Sequence, residues 1–256
     1  GSPLSLKPLL QILFEQLYDF GFRDFCFVVG RAKRAIEDHF TEDPSFLNYL
    51  TEKGKSQLAE DLGSFYRKVG DSAIVWVNQG EPGGFGDAVL KSKGFVDGED
   101  FFVAAGDTVV LTPRGKSDYL GRLLEAHEKR ASSATFAAMN VPDPENYGIV
   151  RTSKKDSARV LSVEEKPKKP RRNLAIMPFY VFKPEIFDAL ETVKEGAGGE
   201  LQLTDAIGEL LRRGRTVSAV PLFATEKRLD IGTPETYWDA ISQSYELARK
   251  HRQSRD

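Results

Sequence analysis

Phe101-Phe102-Val103-Ala104-Ala105-Gly106-Asp107-Thr108-Val109-Val110-Leu111 is the stretch on which the fold reading turns. It is apolar without side-to-side alternation, and one glycine and one carboxylate interrupt it. Such a run suits a strand buried on both faces, as in a parallel sheet covered by helices. The Gly106-Asp107 break then falls at the strand's carboxyl end, where open α/β sheets bind ligands. Asp107 is therefore the first candidate for chemistry, with an ordinary turn aspartate as the competing reading.

Working outward, Pro8 opens a helix whose apolar face is Leu9, Leu10, Leu13, Leu17 and Phe20, and Gly21 stops it. Phe25 to Val29 reads as a buried strand, Lys33 to Phe40 as helix, and Ser45 to Arg67 as more helix broken near Gly54 and Gly63. Ala73 to Asn78 is the next strand. It ends at Gln79 and a glycine-rich loop, Gly80 to Gly86, that enters a helix. A helix from Tyr119 to Arg130 and a strand from Thr135 to Asn140 continue the alternation. That rhythm predicts an α/β fold with a doubly wound, mostly parallel, Rossmann-like sheet. Beyond Val141-Pro142-Asp143-Pro144 the pattern turns β-rich (Ile149 to Arg151, Arg159 to Glu164, Leu174 to Phe182), as in a small antiparallel extension. Helices return at Pro184 to Val193 and Leu203 to Arg213, with a strand near Val217 to Val220. A helix from Pro234 to Arg249 carries Tyr237, Trp238, Ile241, Tyr245 and Leu247, apolar surface able to dock on the domain or on another subunit.

The chain has 256 residues, enough for one large domain, with 36 basic and 38 acidic residues and net charge -2. That balance gives no reason to expect nucleic acid or an anionic membrane surface. No apolar run approaches a membrane span, and the single Cys26, set between phenylalanines, reads as a small hydrophobe. A cytoplasmic location fits.

Four places could carry chemistry. The Gly80 to Gly86 loop lets backbone approach a flat ligand, or is a plain turn. Glu165-Lys166-Pro167 sets an acceptor for sugar hydroxyls beside a point charge for phosphate, or begins the solvated run of Lys168, Lys169, Arg171 and Arg172. Gly199 to Ile207 enters a helix that Thr204 or Asp205 could cap. Asp230, before Ile231-Gly232-Thr233-Pro234, is a second strand-end aspartate; two such residues converging could hold Mg²⁺.

In order, these pieces resemble the sugar-nucleotide pyrophosphorylases of the UTP–glucose-1-phosphate uridylyltransferase type. The residues that carry the resemblance are Arg31 to Phe40, Glu165-Lys166-Pro167, Asn173-Leu174-Ala175-Ile176 and Gly199 to Ile207. The resemblance implies a nucleotidyltransferase domain over residues 3–233 and a C-terminal helix over 234–256. It implies UTP and glucose 1-phosphate as substrates, UDP-glucose and pyrophosphate as products, Mg²⁺ as cofactor and a homo-oligomer. Gln79 and Gly84 would contact uracil, and Asp107 and Asp230 would hold the metal. Gly148 and Glu165 would bind glucose, Lys166 its phosphate, and Ile176 and Tyr180 would line the sugar pocket. A thymidylyltransferase using dTTP and a non-catalytic sugar-nucleotide-binding regulator are the alternatives.

Three residues depart from the family pattern: Thr108 where a second aspartate is usual, Asp87 where a histidine is common, and Met177-Pro178-Phe179 in place of a glycine-containing stretch. The family's first strand and triphosphate-binding glycine loop have no counterpart ahead of Lys7. Either the chain is a fragment or a preceding segment is omitted from it; a chain truly this short should have exposed edges on the neighbouring strands and little turnover.

Overall fold

Gly21, at φ 129°, ends the first helix as its sequence predicts, its N–H reaching the carbonyls of Leu17 and Tyr18. The structure is a computed structural model that describes residues 7–112, 118–196 and 199–253. In chain order it contains α1 (Leu9–Phe20), β1 (Asp24–Gly30), α2 (Arg34–His39), α3 (Pro44–Glu52), α4 (Ser56–Gly70) and β2 (Ala73–Gln79). Next come α5 (Phe85–Lys91), α6 (Lys93–Val96), β3 (Phe101–Ala104), β4 (Thr108–Leu111), α7 (Asp118–Lys129) and β5 (Ala134–Asn140). A 3-10 turn at Pro144–Asn146 leads to β6 (Gly148–Thr152), β7 (Val160–Glu165) and β8 (Leu174–Phe182). The chain continues through α8 (Glu185–Leu190), α9 (Leu203–Arg212), β9 (Val217–Pro221), β10 (Lys227–Asp230) and α10 (Pro234–Gln253). These elements form two units: one holds the chain up to Trp76, Gly106–Leu111 and everything from Lys227; the other holds Val77–Ala105 and Thr112–Glu226.

The opening stretch is therefore two strands, not one. β3 is half-buried and pairs with β8, whereas β4 is fully buried and pairs with β10, in the other unit. Gly106 makes the break: a Cβ there would come within 3.3 Å of Leu10 Cδ1, so the chain passes close over α1 as it crosses.

In the first unit Phe14 is the hub. Its ring lies 4.8 Å from Phe25, 5.3 Å from Phe40 and 6.0 Å from Phe65. Aromatic contacts of this kind add to simple area burial. The buried face of α1 is accordingly Gln11 to Phe14 with Leu17; Leu9 and Leu10 are half-buried and Phe20 is exposed, so the helix faces somewhat differently from its predicted stripe. His39 and Phe40, in the segment that carries part of the family resemblance, are packing residues. His39 stacks on Phe65 and its Nε2 lies 3.0 Å from Gln11 Oε1. Gly54 separates α3 from α4 as expected, but Gly63 sits inside an unbroken α4.

The second unit is built on a mixed sheet in the order β7-β6-β8-β5-β9, with β3 also on β8. β5 and β9 run parallel, and β3 and β5 both run antiparallel to β8. The helix-connected strands β3, β5 and β9 thus share one direction, as the alternation requires. The departure from a mostly parallel sheet comes from β8: it lies between β3 and β5 rather than at an edge. Between the pairs Phe136↔Tyr180 and Ala138↔Ile176, one residue of β5 faces three of β8, Met177-Pro178-Phe179. That bulge explains how a proline sits in an interior strand: its missing N–H is not asked for. The Pro178 carbonyl is used instead, by Ala105 N–H at 3.1 Å. Among the described residues β1 pairs only with β2, and β3 only with β8. No described helix is long and apolar enough to cross a membrane.

Candidate active site

The β4–β10 register sets Thr108 opposite Asp230. Thr108 Oγ1 donates to Asp107 Oδ1 at 3.0 Å and lies 3.4 Å from Asp230 Oδ2. Two aspartates remote in sequence are thus joined through one hydroxyl. Ile231 N–H donates to the Asp107 carbonyl at 3.2 Å, and Gly232 N–H to Asp230 Oδ1 at 2.9 Å, fixing both. A hydroxyl has a single proton, so three oxygen-bearing groups share fewer donors than they have acceptors. Arg228 brings a cation to the pair, its Nη1 3.7 Å from Asp230 Oδ2.

An all-oxygen set of this kind fits a hard divalent ion. Two carboxylates leave most of the coordination sphere to water and phosphate oxygens, as Mg²⁺ prefers. Among the described residues no group of three or more His, Cys, Asp or Glu could form a richer metal site.

In the second unit, Gly148 opens β6 opposite Glu165, the last residue of β7. A Cβ on Gly148 would stand 2.7 Å from Thr204 Oγ1, 3.1 Å from Glu165 Oε2 and 3.3 Å from Ile176 Cδ1. Four elements (β6, β7, β8 and the start of α9) therefore bring Gly148, Glu165, Ile176 and Thr204 into close contact, with no room for a side chain at Gly148. Tyr180 is deeper in the same unit, stacked with Phe182 in the core. Burial, and secondarily the Glu165 charge, push its hydroxyl well above the usual tyrosine range. Lys166 follows Glu165 at φ 38°, a left-handed conformation that costs a side-chain-bearing residue about 1–3 kcal/mol. Its N–H is held by the Tyr147 carbonyl at 3.1 Å, and its exposed ammonium has no ion pair among the described residues. Lys168, Lys169, Arg171 and Arg172 are exposed, the solvated run that the sequence offered as the plain reading.

Thr204 was a capping candidate in the sequence, together with Asp205, and neither caps: Gln202 is the N-cap residue of α9, without a side-chain bond. Only the fold shows that the Thr204 hydroxyl meets Gly148. Burial raises the Asp205 carboxyl's pKa, and Arg212 partly offsets it.

The glycine loop packs on the same segment. Leu201 N–H donates to the Gly83 carbonyl at 2.8 Å and Gly86 N–H to the Leu201 carbonyl at 2.9 Å. Gly84 sits at φ 92°, and a Cβ there would be 2.9 Å from both Glu200 Cβ and the Leu201 carbonyl. The room left by these glycines is taken by the chain's own backbone. Gln79 closes the loop, its Nε2 donating to the Gly84 carbonyl at 3.1 Å and to Asp87 Oδ2 at 2.7 Å. Cys26 is half-buried, and burial raises its thiol, consistent with a protonated packing residue.

A model of the nucleotidyl transferase family matches residues 3–246. The chain belongs to that family. It is 37% identical to the UTP–glucose-1-phosphate uridylyltransferase of Bacillus subtilis (strain 168), over 99% of this chain and 85% of the relative. It is also similar to the crystal structure of apo UDP-glucose pyrophosphorylase, at TM-score 0.84 and 25% identity over 95% of this chain and 89% of that one. A UDP-glucose pyrophosphorylase complexed with UDP-glucose gives TM-score 0.80 at 25% identity, with the same coverage. The family's α/β fold and the resemblance carried by the quoted motifs are both borne out.

Proposed function

We propose that the chain is a UTP–glucose-1-phosphate uridylyltransferase, joining a uridylyl group to glucose 1-phosphate with release of pyrophosphate. The observation that carries this is the pair Asp107 and Asp230, held through Thr108 with more acceptors than protons. Mg²⁺ bound there would neutralise phosphate charge and orient the transferring group. Asp107 and Asp230 supply its two protein ligands, and Thr108 keeps them at a fixed spacing.

The other residues position the partners. Glu165 accepts hydrogen bonds from glucose hydroxyls, Gly148 presents bare backbone beside it, and Ile176 and Tyr180 form the apolar wall. Lys166 neutralises the sugar phosphate. The phosphate oxygen forms a bond to the α-phosphorus of UTP while the bond to the β-phosphate oxygen breaks and pyrophosphate leaves. No protein nucleophile is needed, so positioning and charge neutralisation are the work of the site. Gln79 and the Gly84 backbone take the uracil. The exposed Tyr237, Trp238, Ile241 and Tyr245 on α10 support self-association, and a cytoplasmic location suits the substrates.

Titration calorimetry with UDP-glucose and dTDP-glucose tests the assignment. Tighter binding of UDP-glucose is the expected result. Tighter binding of dTDP-glucose moves the assignment to a thymidylyltransferase, and binding of neither overturns it.

A further inference from the structure

Among the described residues Asp87 carries the one charged contact to Gln79, and it stands where the family commonly has histidine. The Gln79 amide nitrogen lies 2.7 Å from Asp87 Oδ2 and 3.1 Å from the Gly84 carbonyl. Both of these oxygens only accept. Turned over, the amide would set its own oxygen against two others, so the hydrogen-bond network assigns Nε2 to this side. Asp87 is itself fixed: Lys91 Nζ holds Oδ1 at 3.1 Å, and the carboxylate fills the space that a Cβ on Gly83 would need, 2.7 Å from Asp87 Cγ. Both protons of the Gln79 amide are thereby used, and among the described residues no donor reaches Oε1.

We propose that Asp87 is a specificity-determining positioning residue: by holding Nε2, it leaves Gln79 a pure acceptor toward the base. A pyrimidine that presents an N3–H donor, uracil or thymine, matches that acceptor. Cytosine presents an unprotonated N3, and the two lone pairs oppose each other. Asp87 thus selects imide bases against cytosine and does not separate uracil from thymine. A histidine at this position must choose a tautomer before it can accept, whereas the carboxylate accepts in its ionised form without that choice.

The inference rests on Gln79 contacting the base, and the experiment separates the two ideas. Calorimetry measures UDP-glucose and CDP-glucose binding to the full chain and to Gln79→Ala, Asp87→Asn, Asp87→Ala and Gly83→Ala. The wild-type chain prefers UDP-glucose. Asp87→Asn, which can donate as well as accept, lowers the UDP-glucose/CDP-glucose affinity ratio about tenfold or more, the scale of a lost charge-assisted hydrogen bond. Asp87→Ala does the same. Gly83→Ala displaces the carboxylate without removing it and lowers the ratio in the same direction, keeping the test open if the Asp87 variants fold poorly. If Gln79→Ala leaves UDP-glucose affinity unchanged, the base-contact reading falls and takes this inference with it. If Gln79→Ala weakens binding while the Asp87 and Gly83 variants keep the wild-type ratio, the role of Asp87 alone is overturned. A general loss of stability would weaken both ligands equally and leave the ratio unmoved.

Discussion

Replacing Gly148 with alanine forces one methyl group into the tight junction of β6, β7, β8 and α9. The backbone there does not require glycine, since its φ lies outside the left-handed range that side chains avoid. The effect therefore comes from contact alone. The new Cβ would meet Thr204 Oγ1 at 2.7 Å, Glu165 Oε2 at 3.1 Å and Ile176 Cδ1 at 3.3 Å, against the 3.5–4.0 Å at which carbon contacts become favourable. The two oxygens must yield, and one of them belongs to Glu165, the residue assigned to the sugar hydroxyls. Overpacking by a single carbon costs about 1–3 kcal/mol. Spent on binding, that is roughly a 5- to 150-fold loss of affinity for UDP-glucose. UMP carries no sugar and should bind as before. Calorimetry with both ligands, beside a melting curve, reads the split. Equal weakening of UDP-glucose and UMP, or no change in either, would refute a sugar pocket centred on Gly148.

Acid should weaken the fold below the usual histidine range. Burial lowers the pKa of His39, with Glu15 opposing, and of His127, with Asp100 opposing and Lys183 assisting. The unfolded chain then binds more protons than the native one, so stability rises with pH across the window from the depressed native values to about 6.5, and is lost as pH falls through it. Melting temperatures between pH 7.5 and 5 check this, and His127→Gln should flatten the slope. Glu226, whose side chain is only 3% exposed, pairs with Arg122 at 2.7 Å and caps the Phe223 N–H at 2.7 Å. Glu226→Ala strands a half-buried guanidinium and the Phe223 N–H, and should cost about 1–3 kcal/mol in urea unfolding. Trp238 is 69% exposed on α10. If that face joins two copies, Trp238→Glu should shift the chain to a smaller species in sedimentation; an unchanged mass would place the contact elsewhere.

Much of the architecture can be read from the chain because local signals agree there. Pro8 and Gly21 bound α1, and Leu174 to Phe182 is a strand from its first residue to its last. What sequence reasoning misses depends on partners remote in the chain. Nothing local in Phe101 to Leu111 shows that its halves join different sheets, because both halves are equally apolar. The antiparallel entry of β8 between β3 and β5 rests on a bulge at Met177-Pro178-Phe179, which a count of hydrophobic residues cannot register. At the site, Asp107 and Asp230 are visible as strand-end carboxylates, but their junction through Thr108 appears only in the β4–β10 register. Thr204 is missed for a related reason: a threonine at a helix start reads as a cap, and only the contact with Gly148 shows where its hydroxyl goes.

Calorimetric titration of UDP-glucose with and without Mg²⁺, on the wild-type chain and on Asp230→Ala, tests the carboxylate pair most directly. Binding should tighten with Mg²⁺ in the wild type and become indifferent to it in Asp230→Ala. UDP-glucose binding that ignores the metal in both proteins, or an Asp230→Ala chain that keeps the full Mg²⁺ response, would contradict the account.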